Sequence, residues 1–175
     1  MKGYRFVAAV GILGLVLLGG VASSASASGK ESFSFNAPVI SGFPGGRSAE
    51  LTGGGAYLLP DFIHAGGSFG CTSDIGAGLF TGCQNGQGVR WDTDTVLTST
   101  TFKCTGAATE ALKAAETGDK TVVMLADFYR AGDGNDESFT AQMIVSETDL
   151  DPVADGVQNI WIQQIGCGTA NVNFN

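Results

Sequence analysis

The stretch TVVMLADFYRAGDGNDESFTAQMIVS, residues 121–146, decides the fold. Its first nine residues alternate, with Val122, Met124, Ala126 and Phe128 on one face and Val123, Leu125, Asp127 and Tyr129 on the other. Successive side chains of an extended chain point to opposite faces, so a period of two predicts a strand. Apolar side chains stand on both faces, and both are expected to be partly covered. Residues 138–146 alternate as well, with Phe139, Ala141, Met143 and Val145 set against Thr140, Gln142, Ile144 and Ser146. This predicts a partner strand with one wet face. The turn-forming AGDGNDES joins the two as an antiparallel hairpin.

Outward from this hairpin the same signals recur. SFSFN (32–36) puts Phe33 and Phe35 on one face, FIHAGGSFGC (62–71) reads as a strand, and the Thr- and Val-rich GVRWDTDTVLTSTTFKC (88–104) supplies one or two more. NIWIQQI and NVNFN complete the set, the latter with Val172 and Phe174 inward and its Asn residues opposite. In AELTGGGAYLL the triple Gly53-Gly54-Gly55 predicts a bulge or a close backbone approach rather than a regular strand. TEALKAAE (109–116) is the one helical pattern, with Leu112 toward the buried side and Gly118 as the stop. The expected fold is therefore all-β, an antiparallel β-sandwich or a small β-barrel with one short helix.

The N-terminus carries Lys2 and Arg5, an apolar run from Phe6 to Val21 and the small-residue pattern Ala25-Ser26-Ala27. That order is expected of a secretory signal peptide over residues 1–27, ahead of a single domain at 28–175. The apolar run is shorter than the roughly 20 residues of a spanning helix, so no membrane span is expected after its removal. The whole chain has 17 acidic and 9 basic residues. Beyond Arg130 there is no Lys or Arg. Strong negative charge repels phosphate backbones and argues against a nucleic-acid partner. Cys71, Cys83, Cys104 and Cys167 make an even set, which in an exported chain predicts two disulfides. Three connectivities are open. The favoured one closes CTSDIGAGLFTGC with Cys71–Cys83 and ties mid-chain to C-terminus with Cys104–Cys167.

Three groups of residues carry candidate chemistry. Asp133, Asn135, Asp136 and Glu137 at the hairpin tip offer oxygen donors of the kind calcium takes. Their spacing is not that of an EF-hand, and Asp, Gly and Asn equally serve a solvated turn, which is the expected role. Asp92 and Asp94 stand two apart on one strand face, about 6.5 to 7 Å between Cα atoms. Paired carboxylates are what glycoside hydrolysis uses. Neighbouring Trp91 reads as core rather than as a platform for a sugar ring. His64, the single histidine, reads as a half-buried strand residue with a hydrogen-bond partner; no GxSxG elbow accompanies it.

The segments GVRWDTDTVLTSTTFKCTGAA, TVVMLADFYRAGDGNDESFTAQMIVSETDL and NIWIQQIGCGTANVNF resemble a group of small secreted bacterial proteins from uncharacterised open reading frames. The resemblance implies an exported bacterial protein and carries no activity. The residues themselves point to an extracellular binding or structural module without a resident cofactor. The alternative is a polysaccharide-acting hydrolase working through Asp92 and Asp94.

Overall fold

The computed structural model describes residues 29–43, 47–78, 80–130 and 138–175. Among them ten strands form and no helix does: β1 (Glu31–Phe43), β2 (Arg47–Leu58), β3 (Phe62–Cys71), β4 (Gly88–Leu97), β5 (Ser99–Phe102), β6 (Lys113–Glu116), β7 (Thr121–Arg130), β8 (Ser138–Ser146), β9 (Ile160–Ile162) and β10 (Gly166–Phe174). Eight of the ten close into an antiparallel barrel in the order β1-β10-β9-β8-β7-β4-β3-β2. Closure comes from β10 pairing with β1, Phe33 opposite Phe174 and Ile40 opposite Gly168. A closed sheet leaves no unpaired edge, which separates this fold from a sandwich. β7 and β8 form the expected hairpin in unbroken register from Thr121↔Ser146 to Tyr129↔Ser138.

The interior is packed with side chains. Phe33, Phe35, Leu51, Trp91, Met124, Phe128 and Met143 are all buried in one apolar cluster. The Cys71–Cys83 loop adds Phe80, whose ring stacks on Phe69 at 4.0 Å and meets Phe139 and Phe128 edge-on at 4.7 and 5.5 Å. The loop thus stoppers one end of the barrel. Toward the other, Phe33, Tyr57 and Phe174 pack together, and the Tyr57 hydroxyl donates to the Gly118 carbonyl at 2.6 Å.

Three local expectations are corrected. TEALKAAE is not a helix: residues 113–116 are β6, paired with β5 from Ser99↔Glu116 to Phe102↔Lys113. A helix of two turns lacks the length to offset its nucleation cost, and the β5 edge offers ladder hydrogen bonds instead. Leu112 is consequently 65% exposed rather than buried. Gly53–Gly55 form no bulge, since β2 pairs with β3 without a shift from Ala49↔Cys71 to Leu58↔Phe62. What they provide is close approach. The Trp91 indole donates its Nε1–H to the Thr52 carbonyl at 3.0 Å, and a Cβ on Gly53 would stand 2.2 Å from Trp91 Cζ2. Lastly, the polar face of β8 is dry at Ile144 and Ser146.

The reason is the β5–β6 hairpin, an excursion between β4 and β7 that folds back over the outside of the barrel. Phe102, Cys104 and Ala115 of this flap and its flank pack on Val123, Ile144 and Trp161 of the barrel wall as a second buried apolar cluster. At roughly 1.5–3 kcal/mol for each large apolar side chain buried, the cover is a substantial stabilising term. It also accounts for apolar residues on both faces of β7. Elsewhere many outward positions are polar and exposed, including Ser34, Asn36, Ser68, Asp92, Asp127, Thr140, Asn171 and Asn173, with Val39 and Phe62 as exposed apolar exceptions.

Candidate functional site

Both disulfides join the favoured pairs, Cys71–Cys83 and Cys104–Cys167. The second fastens the flap: next to it the Cys167 N–H donates to the Cys104 carbonyl at 3.1 Å, and the Trp161 indole N–H donates to the Lys103 carbonyl at 2.9 Å. Thr100 of β5 adds a hydroxyl bond to the Gln142 side chain.

Asp92 lies exposed on the outer wall of β4, where its Oδ2 accepts the Tyr129 hydroxyl at 2.9 Å. That bond, with burial and the Asp92 charge adding to it, raises the Tyr129 phenol above its ordinary value against the opposing Arg90. The Arg90 guanidinium covers the same ring at 5.4 Å. Thr93, next along the strand, turns inward and is buried. The β4–β7 register shifts between Asp92 and Thr95, and the Asp94 side chain lies outside the described part of the structure. A carboxylate on a convex, wet wall lacks the shielding that makes a general acid. Asp133, Asn135, Asp136 and Glu137 lie outside the described residues. His64 is not half-buried: its side chain is exposed on β3.

One cluster with metal-ligating residue types was not read from the sequence, Cys104, Glu110 and Asp151, whose ligand atoms lie within 4.8 Å of one another. Cys104 is half of a disulfide, so its sulfur is no thiolate. A cation already bridges the carboxylates, because Lys113 Nζ lies 2.7 Å from Glu110 Oε1 and 3.2 Å from Asp151 Oδ2. Glu110 also accepts the N–H groups of Cys104 and Thr105 at 2.6 and 2.8 Å and the Thr105 hydroxyl at 2.6 Å. Burial pushes the Glu110 carboxyl up, but the Lys113, Thr105 and Cys104 hydrogen bonds together outweigh it and hold the group at about 2. The arrangement is a clamp that joins the loop before β6 to the β8–β9 connection.

Beside this clamp a cavity of about 340 Å³ opens between the flap and the β9–β10 turn. Phe102, Trp161 and Ile165 supply buried wall, Leu112 an exposed rim, and Thr101, Thr105, Gln163 and Gln164 the hydrogen-bonding groups. Gln163 is oriented by a bond from the Gln142 N–H to its Oε1 at 3.1 Å. Gln164 has φ of 66°, the one positive φ of a non-glycine residue among the described residues. Holding Gln there costs on the order of 1–3 kcal/mol, a strain that clusters at functional positions. The sequence carried no signal for this. Neither Gly nor Asn marks the turn at Gln164, and the other wall joins the end of a predicted strand, Thr101 to Lys103, to Leu112 of a segment taken for a helix.

No protein family, no curated protein sequence and no solved structure matches this chain.

Proposed function

We propose that this chain is an exported binding module that takes a small ligand in the cavity between flap and barrel wall. The observation that carries the reading is the cavity itself. It has apolar wall residues, a few convergent amide and hydroxyl groups, and a strained non-glycine turn residue on its rim, and its volume falls at the lower end of small-molecule sites. The barrel interior is taken up by its aromatic packing, which turns attention to the outer wall. Two disulfides fit an oxidising compartment, and the N-terminal 27 residues have the order of an export signal. The wall outside the flap presents chiefly Ser, Thr, Asn and Asp, with Val39 and Phe62 as isolated apolar residues, unlike the continuous apolar band of a lipid-facing barrel.

The test is to titrate the ¹⁵N-labelled chain, residues 28–175, with a set of small polar fragments and to map the amide shifts. Hits should concentrate on residues 101–105 and 163–166. Hits that gather on the Asp92–Tyr129 wall, or none above background, would refute the reading.

A further inference from the structure

Charge on the cavity lining departs from the charge of the chain. Acidic residues outnumber basic ones 17 to 9, yet no carboxylate lines the cavity and Lys103 does. Lys113 and Lys120 each face a carboxylate, Lys120 Nζ lying 3.5 Å from Glu147. Lys103 Nζ instead donates to the carbonyl oxygens of Ala107 and Ala108 at 2.9 and 3.3 Å. Those neutral acceptors hold the ammonium at the loop after β5, next in sequence to Gly106 on the cavity lining, and pair it with no carboxylate. Among the described residues no carboxylate lies within 4.0 Å of it. An ammonium has three donors, so one remains for a ligand.

We propose that the ligand is a small organic carboxylate, its anion held by Lys103 and its apolar body laid on the wall of Phe102, Leu112 and Trp161. The inference rests on the cavity being the ligand site. The net negative field of the chain opposes an anion at long range, so binding rests on the local charge of Lys103, and a cation is drawn to the carboxylates elsewhere rather than to this lining. The amides of Gln163 and Gln164 add neutral donors that a carboxylate oxygen accepts. The volume lies at the small end of ligand sites and suits a single ring with its acid group.

Benzoate and benzamide, which share size and ring and differ in charge, are the probes. In ¹⁵N-labelled protein both should shift the amides of residues 101–105 and 163–166, benzoate binding about tenfold more tightly, as one charge-assisted bond supplies. Lys103→Arg should keep that preference and Lys103→Met should abolish it. Should Lys103→Met not fold, Gln164→Glu serves instead, weakening benzoate severalfold while sparing benzamide. Equal affinities for the two probes, or a preference that survives the charge change, overturn the anion assignment while the cavity stands. Shifts that map elsewhere, or no shift at saturating concentrations of either probe, overturn both.

Discussion

Replacing Gly53 by Ala tests whether the glycine run of β2 exists to seat Trp91. The added Cβ would lie 2.2 Å from Trp91 Cζ2, 3.0 Å from its Cε2 and 2.8 Å from the Gly66 carbonyl oxygen. Ordinary contact begins near 3.4 Å, so the indole or the strand must retreat by about 1.2 Å inside a packed barrel. Overpacking of this kind costs about 1–3 kcal/mol, and it outweighs the roughly 0.4–1 kcal/mol that Ala recovers from the unfolded chain. A net loss of about 2 kcal/mol is expected. Trp91→Phe destabilises on its own account, through the lost bond to Thr52 and the space left behind. The Phe ring lacks the outer part of the indole that meets residue 53. The double variant should therefore be more stable than the sum of the singles by about 1 kcal/mol, with the Gly66 carbonyl clash left unrelieved. Urea unfolding followed by far-UV circular dichroism measures all four corners of the cycle. Gly76→Ala, with open space around its Cβ, is the control and should stay within about 0.5 kcal/mol of wild type. A Gly53→Ala midpoint equal to that control, or strict additivity in the cycle, would mean that the indole does not set the glycine requirement.

The two disulfides close loops of separation 63 and 12, and the chain-entropy relation makes the longer one more stabilising by about 1.5 kcal/mol. Cys104→Ala should accordingly lower the urea midpoint more than Cys71→Ala, and the reverse order would count against loop entropy as the dominant effect. Glu110 has a folded value of about 2 against an ordinary 4.5, so what its ionised form adds to stability is present above pH 4.5 and is lost as pH falls toward 2. The midpoint gap between wild type and Glu110→Gln should be widest near pH 6 and close on acidification below 4.5; a gap independent of pH would remove the clamp from the stability of the flap.

The alternation and antiparallel pairing of β7 and β8 and the even cysteine set were legible in residues 121–130 and 138–146 and in Cys71, Cys83, Cys104 and Cys167, because side-chain period is a local property. Closure was not, since it depends on β1 meeting β10, Phe33 against Phe174, and no local pattern encodes a partner at that separation. The apolar outer face at Val123 registered in the sequence as needing cover while Ile144 was assigned to a wet face, and what covers both is a hairpin whose second strand has the composition of a helix. Propensity is a weak prior of at most about 1 kcal/mol per ordinary residue, and an open strand edge with a disulfide beside it overrides it. The cavity follows from the same override. Lys103 and Gln164 lie on separate segments with nothing to mark either, and they face one space only after the flap is fastened to the barrel wall by Cys104–Cys167 and by the bond from Trp161 to the Lys103 carbonyl.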